Sequence, residues 1–276
     1  MAISIIKADG TRQLFDREKV VKTCLRMGAT IETAEKIADE IEVRVYDGME
    51  TRKILQLIFK ELAKYRPSAR YGFDLRKALS LMNPKPDFER FAQILLGEQG
   101  YTVTPNQIVR GKCGEHEVDG IARKNGATYI VEAKHHFSYH TPTGLDVGRI
   151  ARAIIEDAQE GFEFRLTKLK IDGAIIVCNT KLSEHARSYG ECRGILHIGW
   201  NYPLNNDLQT IIEEKKLYPL TSLRDLNVPT RDKLSSAGII LVKQLISENP
   251  EKISVATGIS REYLRSLIDR ANAMFL

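Results

Sequence analysis

Two carboxylates and a lysine stand close together in "EVDGIARKNGATYIVEAKHH", the stretch from Glu117 to His136. Asn125-Gly126 is a strong signal for a two-residue hairpin, because a type I′ turn needs positive φ at both central positions. This turn sets a register in which Asp119 faces Glu132 directly. Strand alternation then predicts two sets of side chains on opposite faces of the sheet: Glu117, Asp119, Ile121, Ile130, Glu132 and Lys134 on one, and Val118, Gly120, Ala122, Tyr129, Val131 and Ala133 on the other.

Like charges placed opposite each other on a sheet repel, so something must compensate for Asp119 and Glu132. Protonation of one acid would do so, and so would an ion pair between one acid and Lys134. A divalent cation would use both acids, because magnesium prefers hard oxygen ligands from one or two carboxylates together with water. The pattern favours a metal site, and the alternative is a proton-sharing or purely structural cluster.

The elements around this hairpin predict an α/β sheet covered on both faces. A helix begun by Asp87 and closed around Gly97 to Gly100 precedes the first strand, "GYTV". Helical and buried-strand patterns then alternate along the chain, which is typical of a sheet between layers of helices. They are "GRIARAIIEDAQEGFEF", "KIDGAIIVCNT", "LSEHARSYGE" and "GILHIGW".

The chain is predicted to form three domains, 1–85, 86–216 and 217–276. The first reads as a hairpin turning at Asp9-Gly10, followed by three helices, with Asp16 and Thr51 as helix starts. Two prolines in the stretch from Met82 to Asp87 mark its end, because a residue before proline disfavours helix. The last domain has only short helical patterns.

Composition predicts a soluble protein of the reducing cytoplasm without a membrane span. The 276 residues are 43% hydrophobic, enough for more than one core, and no apolar run approaches bilayer length. A net charge of +5 permits nucleic-acid binding, with basic ends and a slightly acidic middle. Four cysteines lie far apart without a C-x-x-C pair, so neither a zinc knuckle nor a disulfide framework is indicated: Cys24, Cys113, Cys178 and Cys192.

Residues 1–85 resemble the ATP-cone, a small nucleotide-binding domain of ribonucleotide reductases and some transcriptional regulators. The resemblance rests on I-x-K-x-D-G from Ile5, F-D-x-x-K-V from Phe15, the helix opening near Thr51, and "ARYGFDLRKAL". It implies ATP or dATP as a regulatory ligand. Its phosphates would meet cations and a helix N-terminus, where backbone N–H groups favour anions. The implied contacts are Lys7, Lys19, Thr51 and Arg52; Ala8 stands where the family usually has arginine.

Residues 86–216 resemble the Mrr-type restriction-endonuclease-like nucleases of the PD-(D/E)xK group. Asp119 and then Glu132-Ala133-Lys134 on the next strand, after a helix bearing Glu89, match the family pattern in order and context. Val118 replaces the proline of the group's name. The resemblance implies hydrolysis of phosphodiester bonds, with double-stranded DNA as the leading substrate.

The resemblance also implies the roles of the site residues. Asp119, Glu132 and the carbonyl of Ala133 would hold Mg²⁺ or Mn²⁺, with Glu89 as a direct or water-mediated ligand. Lys134 would orient the attacking water and help to deprotonate it. Glu89 on its amphipathic helix is equally well explained as a solvated acid.

Two further features carry weaker hypotheses. The loop after the hairpin holds three histidines that could contact phosphate or a transition metal, or could be merely polar: His135, His136 and His140. In 217–276, "LSSAGIILVKQLI" and "VATGISREYLRSLIDRA" echo each other and resemble paired helix-hairpin-helix units, whose glycines let backbone N–H groups approach phosphate. A helical packing or dimerisation module is the alternative.

The sequence as a whole predicts an α/β multidomain protein: a mostly helical ATP-cone, a restriction-endonuclease-like core with a mixed sheet, and a small all-α C-terminal domain. Its predicted function is magnesium-dependent DNA endonuclease regulated by ATP or dATP. The alternative is a nucleotide-sensing DNA-binding regulator or repair factor whose nuclease fold does not cut. DNA preference, ATP against dATP, and homo-oligomer formation stay open.

Overall fold

The computed structural model describes residues 3–27, 29–65, 74–223 and 226–275, which form a mixed α/β protein. They fall into two compact units, one of residues 1–73 with 269–276 and one of residues 74–268. Residues 69–73 of the predicted ATP-cone motif lie outside the described part of the chain. The division into three domains at 85 and 216 stays a prediction.

The first unit packs helices against a small three-stranded sheet of order β2-β1-β3. The predicted hairpin is confirmed: β1 and β2 pair antiparallel around Asp9 and Gly10, where φ of Gly10 is 81°. The predicted helix starts at Asp16 and Thr51 are also confirmed. The elements are β1 (Ser4–Ile6), β2 (Arg12–Leu14), α1 (Arg17–Arg26), α2 (Ile31–Glu42), β3 (Met49–Glu50) and α3 (Thr51–Tyr65).

The second unit is built on a five-stranded mixed sheet of order β4-β5-β6-β7-β8. The first three strands are antiparallel, and β7 and β8 are parallel to β6. The strands are β4 (Thr102–Arg110), β5 (Glu115–Lys124), β6 (Ala127–Lys134), β7 (Gly173–Cys178) and β8 (Leu196–Ile198). The predicted alternation of helices and buried strands is confirmed.

Helices cover both faces of this sheet. They are α4 (Leu75–Ser80), α5 (Glu89–Glu98), α6 (Leu145–Glu163), α7 (Glu184–Arg193) and α8 (Leu208–Lys215). One apolar cluster joins α5 and α8 to Ala122 and Val131, and another joins α6 to Ile121 and Ile130. Successive residues of the hairpin strands are therefore buried on alternate faces, as expected for a sheet that helices cover on both faces. Helix α8 was not predicted from the sequence.

Helix α5 begins two residues later than predicted. Its first residue is Glu89, and a single wide turn, Pro84–Phe88, precedes it. The prediction that Asp87 starts the helix is wrong. The Asp87 carboxylate is buried and accepts hydrogen bonds from Asn83 Nδ2 at 3.0 Å and from the Ser235 hydroxyl, so it stabilises the turn before α5. The turn is thereby fixed within the second unit.

Two helical hairpins follow α8. Each contains a glycine in the left-handed region, Gly238 with φ 83° and Gly258 with φ 67°, which a residue with a side chain adopts only with strain. Their helices are α9 (Val228–Ser236), α10 (Val242–Ser247), α11 (Pro250–Thr257) and α12 (Arg261–Phe275). The helix-hairpin-helix assignment stays a prediction.

Candidate active site

The candidate site is built on the β5–β6 hairpin, whose predicted register is confirmed over the paired part of the strands. Asn125 and Gly126 have φ of 51° and 80°, and Lys124 pairs with Ala127. The ladder continues through Ile121 opposite Ile130 and ends at Gly120 opposite Val131. Asp119 and Glu132 come one position beyond the last pair of the ladder.

Strand pairing gives way to a side-chain hydrogen bond at Asp119. The backbone N–H of Ala133 donates to Asp119 Oδ2 at 2.7 Å, and Gln93 Nε2 on α5 donates to the Asp119 carbonyl at 2.9 Å. These two bonds fix Asp119 between the neighbouring strand and α5. The carboxylate is thus oriented by Ala133, the middle residue of the predicted E-x-K motif.

One predicted face assignment is wrong. Val118 packs in the α6-side cluster with Ile121 and Ile130, although simple alternation put it on the other face. The change coincides with Asn106 on β4, whose φ is 45° and which lies opposite Asp119, between the pairs Pro105–Gly120 and Gln107–Val118. A left-handed residue breaks the regular pleat, so alternation cannot be counted across it.

Glu89 lies beside Asp119 at the start of α5. The Glu89 side chain is almost fully buried, and its closeness contributes to raising the pKa of Asp119. Lys85, four residues earlier, places its Nζ 2.9 Å from Glu89 Oε1 and 3.9 Å from Asp119 Oδ1. The start of α5 therefore brings to the site the acid predicted from the sequence, and the turn before it brings a lysine that sequence reasoning missed.

The carboxylates are held in surroundings that disfavour their charged forms. Burial raises the pKa of Asp119, while the Ala133 N–H opposes that change. Burial and the charge of Asp119 raise the pKa of Glu132 to about 6. Lys134 acts on Glu132 in the opposite sense, as a nearby positive charge must. Asp119, Glu132 and Lys134 are thus close enough to influence one another.

This donor set fits a hard divalent cation. Burial and mutual repulsion raise the pKa of these carboxyl groups, and a positive charge between them would stabilise their ionised forms. Within the described ranges, no three His, Cys, Asp or Glu side chains are gathered closely enough to hold a metal ion as they stand. The Lys85 ammonium supplies a positive charge at Glu89 and Asp119. The metal set of Glu89, Asp119, Glu132 and Ala133 stays a prediction.

The loop histidines make hydrogen bonds within the protein. His135 Nε2 donates to the Leu79 carbonyl at 3.0 Å, and its ring lies edge-on to Phe88. His136 Nε2 is hydrogen-bonded to Thr143 Oγ1 at 3.1 Å. The first bond joins the residues after β6 to α4, and the second joins them to the segment before α6, so these histidines hold the loop in place. His140 stacks against Tyr139 with ring centroids 4.3 Å apart.

The predicted nucleotide-binding residues lie just after two neighbouring strands of the first unit and at the starts of α3 and α1. β1 and β3 are parallel, with Ile6 opposite Glu50, so Lys7 and Thr51 follow at the same end of the sheet. Thr51 and Arg52 begin α3, whose N-terminal N–H groups favour anions. Lys19 lies in the first turn of α1, where its Nζ is 3.8 Å from Asp16 Oδ2.

Hydrogen bonds restrict what the first C-terminal hairpin can contact. The backbone N–H groups of Ile240 and Leu241 both donate to Gln244 Oε1, at 2.9 and 3.0 Å, and that of Val242 donates to the Tyr218 carbonyl. These three amides are therefore used within the protein, and a phosphate-binding role of the hairpins stays a prediction.

A signal in the sequence would have found one of the missed residues. Glu89 and Gln93 are four residues apart on α5, which places them on one face of the helix, and Gln93 reaches the Asp119 carbonyl. Lys85 also comes four residues before Glu89, but it is extended in the turn before the helix. Helical spacing therefore accounts for Gln93 and does not account for Lys85.

Glu132→Gln is expected to stabilise the protein, without added metal, by about 1 to 2 kcal/mol at pH 7.5. Folding raises the pKa of Glu132 from 4.5 to about 6, so the folded state binds more protons than the unfolded state between these values. The destabilising effect of the carboxylate is therefore complete above pH 6 and disappears below pH 4.5. Thermal unfolding in chelator at pH 7.5 and pH 5 should show the gain shrinking at the lower pH.

The exposed Glu115 at the start of β5 provides the control for this comparison. Glu115→Gln removes an exposed carboxylate from the same hairpin and should leave the unfolding temperature nearly unchanged at both pH values. An equal gain for Glu132→Gln at both pH values would contradict a raised pKa as its cause.

Comparisons with known proteins agree with this architecture. The restriction endonuclease family Mrr_cat matches residues 80–198, the ATP cone domain family matches residues 3–82, and the AF1548-like C-terminal family matches residues 218–275. These matches and the fold define a restriction-endonuclease-like protein that also carries an ATP-cone domain. None of the described helices is long and apolar enough to cross a membrane.

Two comparisons identify the family. An uncharacterized protein of Archaeoglobus fulgidus is 34% identical over 178 residues, which are 64% of this chain and 95% of that protein. The crystal structure of AF1548, a protein of unknown function, superposes with a TM-score of 0.58 and 30% identity over 68% of this chain and 97% of that one. The chain belongs to the AF1548-like family.

The N-terminal region has a separate relative. The transcriptional repressor NrdR of Caldicellulosiruptor saccharolyticus is 36% identical over 70 residues, which are 22% of this chain and 46% of the repressor. The similarity is thus confined to a part of each protein, and it accords with the ATP-cone match.

Proposed function

We propose that the protein is a metal-dependent endonuclease that hydrolyses phosphodiester bonds in double-stranded DNA and is regulated by ATP or dATP at its ATP-cone. One observation carries the nuclease proposal: Asp119 and Glu132 come together just past the end of the β5–β6 ladder, with Asp119 oriented by the Ala133 N–H at 2.7 Å and Glu132 influenced by the charges of both Asp119 and Lys134. The raised pKa of both acids supports a site that works with a bound cation.

The chain supplies the ligands and the proton-handling group. Asp119, Glu132 and the carbonyl of Ala133 would hold Mg²⁺ or Mn²⁺, with Glu89 as a further ligand. When bound, the ion supplies Lewis acidity and neutralises charge on the phosphate. Lys134 orients the attacking water and helps to remove its proton. The Gln93 side chain keeps Asp119 in place by donating a hydrogen bond to the Asp119 backbone carbonyl.

DNA affinity is proposed to depend on regions outside the catalytic sheet. The segment around the site is slightly acidic, whereas both ends of the chain are basic. Since neutralisation of phosphates dominates nucleic-acid affinity, the flanking basic regions would hold the DNA backbone. The free state of all four cysteines fits a cytoplasmic protein.

The direct test is incubation of the full chain with plasmid, linear and branched DNA, in magnesium, in manganese or in chelator, with and without ATP. Cleavage that requires the metal supports the proposal. A chain that binds DNA but leaves every substrate intact in both metals would instead be a nucleotide-sensing DNA-binding regulator. The similarity of the N-terminal region to a transcriptional repressor is the observation that favours this second function.

Lys7→Ala and Lys19→Ala are each expected to weaken ATP and dATP binding about tenfold, because each removes a charged partner of the phosphates. Calorimetric titration of the full chain measures the affinities. Lys22→Ala is a matched control, since Lys22 is an exposed lysine on the same helix as Lys19 and pairs with Glu18 in the same manner as Lys19 pairs with Asp16. Equal affinities in all variants would contradict the assignment.

A further inference from the structure

Lys85 contacts two acids of the candidate site from the turn before α5. Its Nζ lies 2.9 Å from Glu89 Oε1 and 3.9 Å from Asp119 Oδ1. The lysine side chain is 71% exposed, whereas those of Glu89 and Asp119 are only 9% and 14% exposed. A largely exposed lysine side chain therefore places its ammonium group against two nearly buried carboxylates.

The backbone that carries Lys85 is firmly placed. Lys85 is extended, with φ −124° and ψ 134°, inside the wide turn Pro84–Phe88. Asp87 in this turn is hydrogen-bonded to Asn83 and Ser235, and Phe88 is fully buried. The turn thus fixes where the side chain starts, while its exposed stem leaves the ammonium free to move.

The contacts of Lys85 differ from those of an ordinary surface ion pair. Lysine and glutamate four residues apart often pair on exposed helices, with both partners in water. Here the acids are buried, two of them share one ammonium, and Glu132 adds further negative charge to the same site. The ammonium therefore offsets a charge imbalance that burial makes unfavourable.

We propose that Lys85 is a tethered counter-cation, which neutralises the carboxylate site in the absence of metal and withdraws into solvent when a divalent ion enters. The inference rests on the proposed function only in taking the site to bind a divalent ion. An ion bound to oxygens of Glu89 and Asp119 would stand close to the ammonium, and the two positive charges would repel. Because a lysine head remains hydrated when its stem swings outward, withdrawal has a small desolvation cost.

The proposal predicts competition between Lys85 and the metal. Removing the ammonium leaves the acids unneutralised, so Lys85→Met should bind Mn²⁺ about three- to fivefold more tightly than the parent, the upper part of the range that corresponds to one exposed ion pair. The same variant should unfold at a lower temperature in chelator, and the difference from the parent should close at saturating Mn²⁺. Lys85→Gln should behave like Lys85→Met, and Lys85→Arg like the parent.

The experiment is calorimetric titration of the full chain with Mn²⁺, combined with thermal unfolding in chelator and in excess Mn²⁺. Lys252→Met is the matched control: Lys252 is 77% exposed and pairs with Glu248 at the same spacing, outside the site. It should leave Mn²⁺ affinity unchanged. Lys85→Gln provides the neutral variant should Lys85→Met fold poorly.

The outcomes separate this inference from the proposed function. If the parent binds Mn²⁺ and the neutral Lys85 variants bind it equally or more weakly, the competition is overturned while the metal site stands. If neither the parent nor the neutral variants bind Mn²⁺, both proposals fall. Binding that appears or tightens only when the ammonium is removed supports Lys85 as the counter-cation.

Discussion

Asp119→Asn is expected to reduce magnesium-dependent DNA cleavage by at least about a hundredfold, the scale of loss when one preorganised electrostatic group is removed from an active site. The substitution removes one of the two acids that meet at the end of the β5–β6 ladder. Asparagine keeps a side-chain oxygen that can accept the Ala133 N–H, so the local structure should be retained. The measurement is the initial rate of plasmid nicking in magnesium, with DNA binding assayed separately in chelator.

Glu132→Gln should give a loss of similar size, and the two variants together test the site rather than one residue. Glu115→Gln is the control, because Glu115 lies at the exposed start of β5, the strand that carries Asp119. Parental cleavage rates in both Asp119→Asn and Glu132→Gln would show that the chemistry takes place elsewhere. A parent that does not cut in any metal would favour the regulator instead.

ATP is expected to change the DNA affinity of the full chain by about 5- to 150-fold, the usual range of coupling between two sites. The ATP-cone domain and the candidate active site on one chain provide the two sites. Binding linkage is reciprocal, so DNA must change ATP affinity by the same factor that ATP changes DNA affinity. DNA affinity and cleavage rate should be measured across an ATP series, and ATP affinity with and without DNA.

Lys19→Ala is the informative variant for this coupling, because it weakens nucleotide binding without touching the candidate active site. It should shift the ATP series to higher concentration. Identical curves with and without ATP, under conditions where calorimetry shows ATP bound, would leave the nuclease unregulated. ATP hydrolysis is not expected, since the sequence has no G-x-x-x-x-G-K-[ST] loop.

Local chemistry made much of the fold predictable. Asn125-Gly126 determines a turn in which both residues need positive φ, and the register of β5 and β6 follows from it. The buried strand β7 and the helices α6 and α7 follow from their hydrophobic periodicity. These features depend on residues close in sequence, so the sequence of a single chain is sufficient to predict them.

Other features depend on partners that are distant in sequence. The role of Asp87 depends on Ser235, and the face that Val118 presents depends on the conformation of Asn106 in another strand. The local sequence therefore predicts a helix start at Asp87. It also predicts regular alternation of side chains along β5, because the irregular conformation of Asn106 on the neighbouring strand leaves no signal near Val118. The two prolines around Lys85 predict the end of a domain, because a residue before proline disfavours helix, and they give no indication that Lys85 lies at a site.

The hydrogen bonds between the first helical hairpin and the sheet's helices have a consequence for dissecting the protein. Arg90 on α5 donates to the Ser235 carbonyl at 3.1 Å, and Arg231 donates to the Leu81 carbonyl at 3.0 Å. Ile240 and Leu241 complete the apolar cluster under α5. A fragment ending at 216 would expose this surface to water and lose the partner of Asp87. The smallest fragment of the five-stranded sheet that keeps these contacts must therefore include the first hairpin.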